Sequence, residues 1–110
     1  MLINSGQRTL HWTNHAHAKM RFYGLSEARV RRILHSPKRV EEGIAPKTIA
    51  VMQSAGSTKH PYELWTMVQD IGKKRKVISA WRYPGVTKPR SEAVIEGIKN
   101  AYSEYMRSHD

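Results

Sequence analysis

Apolar positions along this chain change their period part-way through. In "TNHAHAKMRFYG", residues 13 to 24, Ala16, Met20 and Tyr23 recur at i, i+4 and i+7, the stripe of one helical face. Thr13 or Asn14 can cap the first amides, and Gly24 can take the left-handed conformation that ends the helix. "SEARVRRILHSP", 26 to 37, predicts a second helix: Ser26 caps it, Glu27 suits its positive end, Val30, Ile33 and Leu34 form the buried stripe, and Pro37 stops it. The period then shortens. "RVEEGIA", "KTIAVMQS", "YELWTMVQ" and "RKVISAWRY" are short runs rich in β-branched and aromatic residues, divided by Gly43, Pro46, Gly56, Pro61 and Gly72. "QDIGKK" has the size and composition of a hairpin loop, and "RTLHWT", 8 to 13, reads as an edge strand.

From about residue 91, "SEAVIEGIKNAYSEYMRS" places Val94, Ile95, Ile98, Ala101, Tyr102, Tyr105 and Met106 on one helical face, with Gly97 weakening the helix by about 1 kcal/mol relative to Ala. The expected fold is α+β over 1–110 as one domain: an N-terminal strand, a two-helix hairpin on one face of an antiparallel sheet of about four strands, and a C-terminal helix. Neither an internal repeat nor a low-complexity tract divides it.

Composition narrows the functional classes. With 110 residues, 39% of them hydrophobic, the chain can build one modest core. Its apolar runs fall far short of the roughly 20 residues of a membrane span, and "MLINSGQRTLHW" lacks the apolar core of a secretory signal, which predicts a cytoplasmic protein. Without cysteine there is no disulfide, thiolate metal site or cysteine nucleophile.

Charge changes the picture more. The net charge is +10, and the cations fall in two blocks. Residues 8 to 39 hold eight cations against Glu27 alone, and residues 71 to 90 hold seven with no acid, while the remaining segments are slightly acidic. Two such blocks form a field that gathers polyanions, nucleic acid foremost. Arg21, Arg29, Arg32, Lys74, Lys76, Lys88 and Arg90 are the candidate phosphate contacts. A solvated face kept for solubility is the competing explanation for either block.

The second block contains "ISAWRYPGVTKPR", residues 78 to 90. Strict alternation allows two arrangements. With Ile78 and Ala80 toward the core, Trp81 and Tyr83 lie on an open sheet face where rings stack on unpaired bases. With Val77 and Trp81 inward, Arg82 takes the open face beside Lys76. Either way a rigid strand presents an aromatic or a guanidinium, followed by a stiff cationic loop.

"HAHAKMRFYGLS" followed by "VRRILHSPKRVEEG" resembles the signature of a small family of bacterial proteins similar to the BrnT toxins and, more distantly, to the RelE/ParE-like toxin superfamily. The shared positions are His15, Ala16, Lys19, Met20, Gly24, Leu25, Ser26, Leu34 and Pro37, and the resemblance spans roughly 9 to 83. It implies a RelE-like fold whose concave sheet face meets RNA. Active members of that superfamily cut messenger RNA, often on the ribosome; others act on gyrase or have no demonstrated activity. Tyr23 and Lys19 stand where relatives often carry arginine, and lysine lacks the planar guanidinium fork.

Metal-free RNA cleavage needs a base for the 2′-oxygen and cations around the phosphate. His15, one helical turn from Lys19, is the candidate base; Arg82 and Tyr83 would add phosphate stabilisation and a phenol. His15 and His17, two apart, point to different sides of a helix, so no metal site is expected, and nothing in the sequence calls for a cofactor. The expectation is an RNA-directed, toxin-like protein acting on RNA or the ribosome, with an acidic antitoxin as partner and metal-independent endoribonuclease activity as its enzymatic form. The alternatives are a non-catalytic RNA-binding module of the same fold and an interaction domain for an acidic protein.

Overall fold

The chain, described over residues 8–108 by a computed structural model, runs β1 (Thr9–Trp12), α1 (Asn14–Tyr23), α2 (Glu27–His35), β2 (Arg39–Glu42), β3 (Thr48–Gly56), β4 (Pro61–Ile71), β5 (Lys74–Pro84) and α3 (Glu92–Ser108). Residues 1–7, part of the stretch taken to lack a secretory signal, lie outside the described residues. No helix among the described residues is long and apolar enough to cross a membrane.

Local chemistry sets the helix ends. The Thr13 hydroxyl accepts from the Ala16 amide at 3.0 Å, and the Ser26 hydroxyl accepts from the Arg29 amide at 3.0 Å. Gly24, at φ 69°, closes α1 in the left-handed conformation and donates its amide back to the helix. For α3, the Ser91 hydroxyl receives the Val94 amide.

The sheet is mixed and five-stranded, in the order β1-β5-β4-β3-β2. This corrects the purely antiparallel expectation: β1 lies beside the last strand and runs parallel to it, Thr9 to Trp12 matching Lys74 to Val77. A parallel neighbour needs a long crossover, and here α1, α2 and three strands supply it. The α1–α2 hairpin covers one face, where Ala16, Met20, Val30, Ile33 and Leu34 pack on Val51, Leu64, Val68, Val77 and Ala80. On the other face, Val94, Ile98, Ala101 and Tyr105 of α3 pack on Ala50, Met52, Trp65, Met67 and Ile78. Helices therefore cover sheet on both sides, and the open face expected opposite the hairpin carries α3. The α3 stripe is narrower than its periodicity suggests, since Ile95 and Met106 face solvent.

A β-bulge decides which way β5 points its side chains. Met67 pairs with Ser79 but Val68 pairs with Val77, so Ile78 is the extra residue. Val77 and Ala80 then face the hairpin, while Ile78 and Trp81 face α3. Both arrangements drawn from strict alternation are thereby overturned, because the bulge inverts the phase at Ile78, the fifth residue of the strand. Thr13 is fully buried at this point. Its hydroxyl donates to the Val77 carbonyl at 2.8 Å while capping α1, so the helix leaves β1 at the bulge and packs against the rest of β5.

Candidate nucleic-acid interface

Two concave features flank the α1–α2 hairpin. The larger is an open groove of about 920 Å³ beside β1 and α2, with Leu10 and Leu34 in its lining and Arg8, Arg31, Arg32 and His35 around them. The helix that builds it buries Val30, Ile33 and Leu34, so its other positions, Arg29, Arg31, Arg32 and His35, project outward. No carboxylate pairs with Arg29, Arg31, Arg32 or Lys38 among the described residues. The only acid of α2, Glu27, is bound to His17 at 2.9 Å.

Arg29 donates to the Gln53 side-chain oxygen at 2.6 Å, and burial, together with the neighbouring Arg32 cation, lowers its pKa from the usual value. Positive charge is crowded here, with no described carboxylate paired to it. Arg31 lies over the Trp12 ring at 5.4 Å, and His17 stacks on the same ring with centroids 5.9 Å apart. Arg8 is partly occupied, by Asp70 at 3.3 Å and the Gly72 carbonyl at 3.2 Å.

The smaller feature is a crevice of about 180 Å³ where α1, β5 and α3 meet. Lys19 and Tyr23 line it from α1, Ser79 and Trp81 from β5, Gly97, Asn100 and Glu104 from α3. Lys19 forms an ion pair with Glu104 at 3.0 Å, and its ammonium lies 5.4 Å from the Tyr23 ring centroid. Behind them, His15 Nε2 is buried, 3.9 Å from Glu104 Oε1, with no hydrogen-bond partner among the described residues. Desolvation lowers the His15 pKa; Glu104 opposes this and Lys19 reinforces it.

The 78-to-90 stretch is built into the interior to a degree that its composition conceals. Trp81 stacks on its cross-strand neighbour Trp65, centroids 5.8 Å apart and planes 4° from parallel. Gly97 comes so close to that indole that a Cβ there would lie 3.3 Å from Trp81 Nε1, which explains a glycine inside α3. The loop after β5 is held by a buried carboxylate. Glu63 accepts from the Thr87 amide at 2.8 Å, the Thr87 hydroxyl at 2.7 Å and the Trp65 indole at 3.0 Å. Arg39 donates to the Thr87 carbonyl at 2.9 Å and pairs with Glu41 at 3.2 Å.

The nominated catalytic residues are split. His15 and Lys19 converge on Glu104. Arg82 is on the hairpin side of the sheet, over the Tyr62 ring at 4.8 Å and donating to the Tyr23 carbonyl at 3.2 Å, whereas Tyr83 packs against the α3 cluster. Among the nominated nucleic-acid contacts, Arg29 and Arg32 share the α2 surface, and Arg21 is exposed on α1. Lys76 lies on the α3 side over Tyr105, Trp81 under α3, and Lys74 is exposed at the start of β5. Lys88 and Arg90 are exposed on the anchored loop. Arg75, one of the seven cations of the second block, is not a surface charge at all: it is 2% exposed and grips Asp70 with two hydrogen bonds of 2.7 and 2.8 Å.

Reasoning from sequence did not single out Arg8 or His35 for the groove, nor Ser79, Asn100 and Glu104 for the crevice. For the first pair the unneutralised charge of the block was an available signal. The crevice residues come from distant segments with no local pattern to join them. No family model matches this chain, and no curated protein or solved structure matches it.

Proposed function

We propose that this protein binds single-stranded RNA through the arginine groove between β1 and α2, as a toxin-like protein of BrnT and RelE type in its sequence grammar. The observation that carries the reading is the α2 surface: four outward basic side chains on nine residues, with the one acid turned to His17. The apolar lining contributed by half-buried Leu10 suits sugars and unpaired bases, and guanidinium planes stack on bases while clamping phosphates. A fluorescence anisotropy titration with a labelled RNA oligomer tests it. The log-log salt slope should be about −0.7 for each phosphate contacted, and Arg31→Ala with Arg32→Ala should weaken binding. Affinity indifferent to salt overturns it, and equal affinity for duplex DNA overturns the choice of RNA.

Metal-independent cleavage is a second reading, favoured by one observation: desolvation holds His15 toward its neutral form, the form in which an imidazole takes up a proton, although its Nε2 is buried behind the Lys19–Glu104 pair. Against it stands the separation of Arg82 and Tyr83 to opposite faces of β5. Inducible expression with growth and primer-extension readouts distinguishes the two. The binding reading expects no new RNA 5′ ends; ends that disappear in His15→Ala would replace it with catalysis.

A further inference from the structure

The crevice between α1, β5 and α3 holds a polar group that no described residue uses. Ser79 is fully buried, it lines the crevice, and its Oγ has no hydrogen-bond partner among the described residues. A buried hydroxyl left unpaired is costly, and a water or a ligand group reaching it would complete its bonding. Around it the crevice offers aromatic walls, Tyr23 and Trp81, the latter held rigid by its stack on Trp65. The Lys19–Glu104 pair adds a donor beside an acceptor, and Asn100 supplies an amide capable of both.

Size restricts the occupant. About 180 Å³ is room for roughly six waters at about 30 Å³ each, well below the ~300 Å³ at which drug-sized sites begin. That volume is of the size of a single base and is too small for a dinucleotide. Nucleobases are flat heteroaromatics with donors and acceptors along one edge, and unpaired bases are recognised by this combination of stacking walls and edge hydrogen bonds. The juxtaposition of carboxylate and ammonium selects among them. Guanine alone among the common RNA bases sets two adjacent N–H donors, which a carboxylate accepts together, beside a carbonyl oxygen that an ammonium can meet.

We infer that this crevice is a pocket for a single unpaired guanine, with Glu104 accepting from its N1–H and amino group, Lys19 donating to its carbonyl, and Ser79 bonding to the inserted ring. The inference rests on the RNA-binding reading, and adds base selection at a second place to phosphate contacts in the groove.

The test compares a uridine hexamer with the same hexamer carrying one internal guanosine, by fluorescence anisotropy, alongside titrations of guanosine and uridine monophosphate followed by tryptophan fluorescence. The guanosine hexamer should bind about tenfold more tightly, and guanosine monophosphate alone should change the fluorescence. Glu104→Gln, at a half-exposed side chain, frees the Lys19 cation and so changes both affinities, but should erase the preference, read as the ratio of the two hexamers' affinities; Asn100→Ala, at an exposed position, should reduce that ratio with little change in stability. Equal affinity of both hexamers, or a preference that survives Glu104→Gln, overturns the pocket and leaves RNA binding standing. Guanosine monophosphate binding with no affinity for either hexamer overturns the RNA reading and keeps the pocket. Absence of all binding overturns both.

Discussion

Glu63 is the residue on which the loop after β5 depends. It is 1% exposed and accepts three hydrogen bonds, two of them from Thr87. Glu63→Gln keeps the shape but turns one acceptor into a donor that faces other donors. The expected loss is about 1 to 3 kcal/mol of stability, measured by urea denaturation; an unchanged midpoint would show that water serves Thr87 as well. His15 leads to a pH prediction. Its folded pKa lies below the unfolded value of about 6.5, so below that pH the unfolded chain binds more protons and stability falls as pH drops. Thermal melts from pH 7.5 to 5 should therefore show a smaller decline for His15→Gln than for the wild type. Identical slopes would remove His15 as a contributor.

At the scale of elements, the hairpin and the bulge behave differently. The hairpin follows local rules, so its two faces can be tested separately. Leu34, 2% exposed, packs under the sheet, and Leu34→Ala should cost about 2 to 5 kcal/mol. Arg31→Ala, on the outer face, should change stability by less than about 0.5 kcal/mol. Equal melting temperatures for the two variants would mean the helix faces are misassigned. These faces were legible in the sequence because capping and the spacing of Val30, Ile33 and Leu34 act within one turn or two. The orientation of Trp81, Arg82 and Tyr83 was not, because one unpaired residue, Ile78, reverses the phase of everything after it. The Ser91 cap of α3 was equally local, whereas the exposure of Ile95 and Met106 depends on how little sheet α3 finds to cover.

For the whole molecule, the sheet divides the charge. Arg29, Arg31, Arg32 and His35 lie on the hairpin side, while the loop carrying Lys88 and Arg90 is tied to Glu63 and Glu41 on the α3 side. One short strand seated in the groove would contact the first set and not the second. Double substitution of Arg31 and Arg32 by alanine should then flatten the log-log salt slope by about 1.4, while Lys88→Ala with Arg90→Ala leaves it as in the wild type. Equal effects of the two pairs would show that RNA wraps around the sheet or binds without preference.

Short-range signals determined the α1–α2 hairpin, the four β-rich runs, the C-terminal helix and the excess of positive charge, because caps, turns and apolar periodicity are written within a few residues of where they act. Tertiary structure alone decided that β1 pairs parallel with β5, that α3 occupies the second sheet face, and that Arg75 and Trp81 are drawn inward. It also decided that Lys19, Ser79 and Glu104 meet at one crevice. Each of those outcomes is a contact between segments remote in the chain, set by which surfaces remain to be buried once the local elements exist, and no local pattern carries that information.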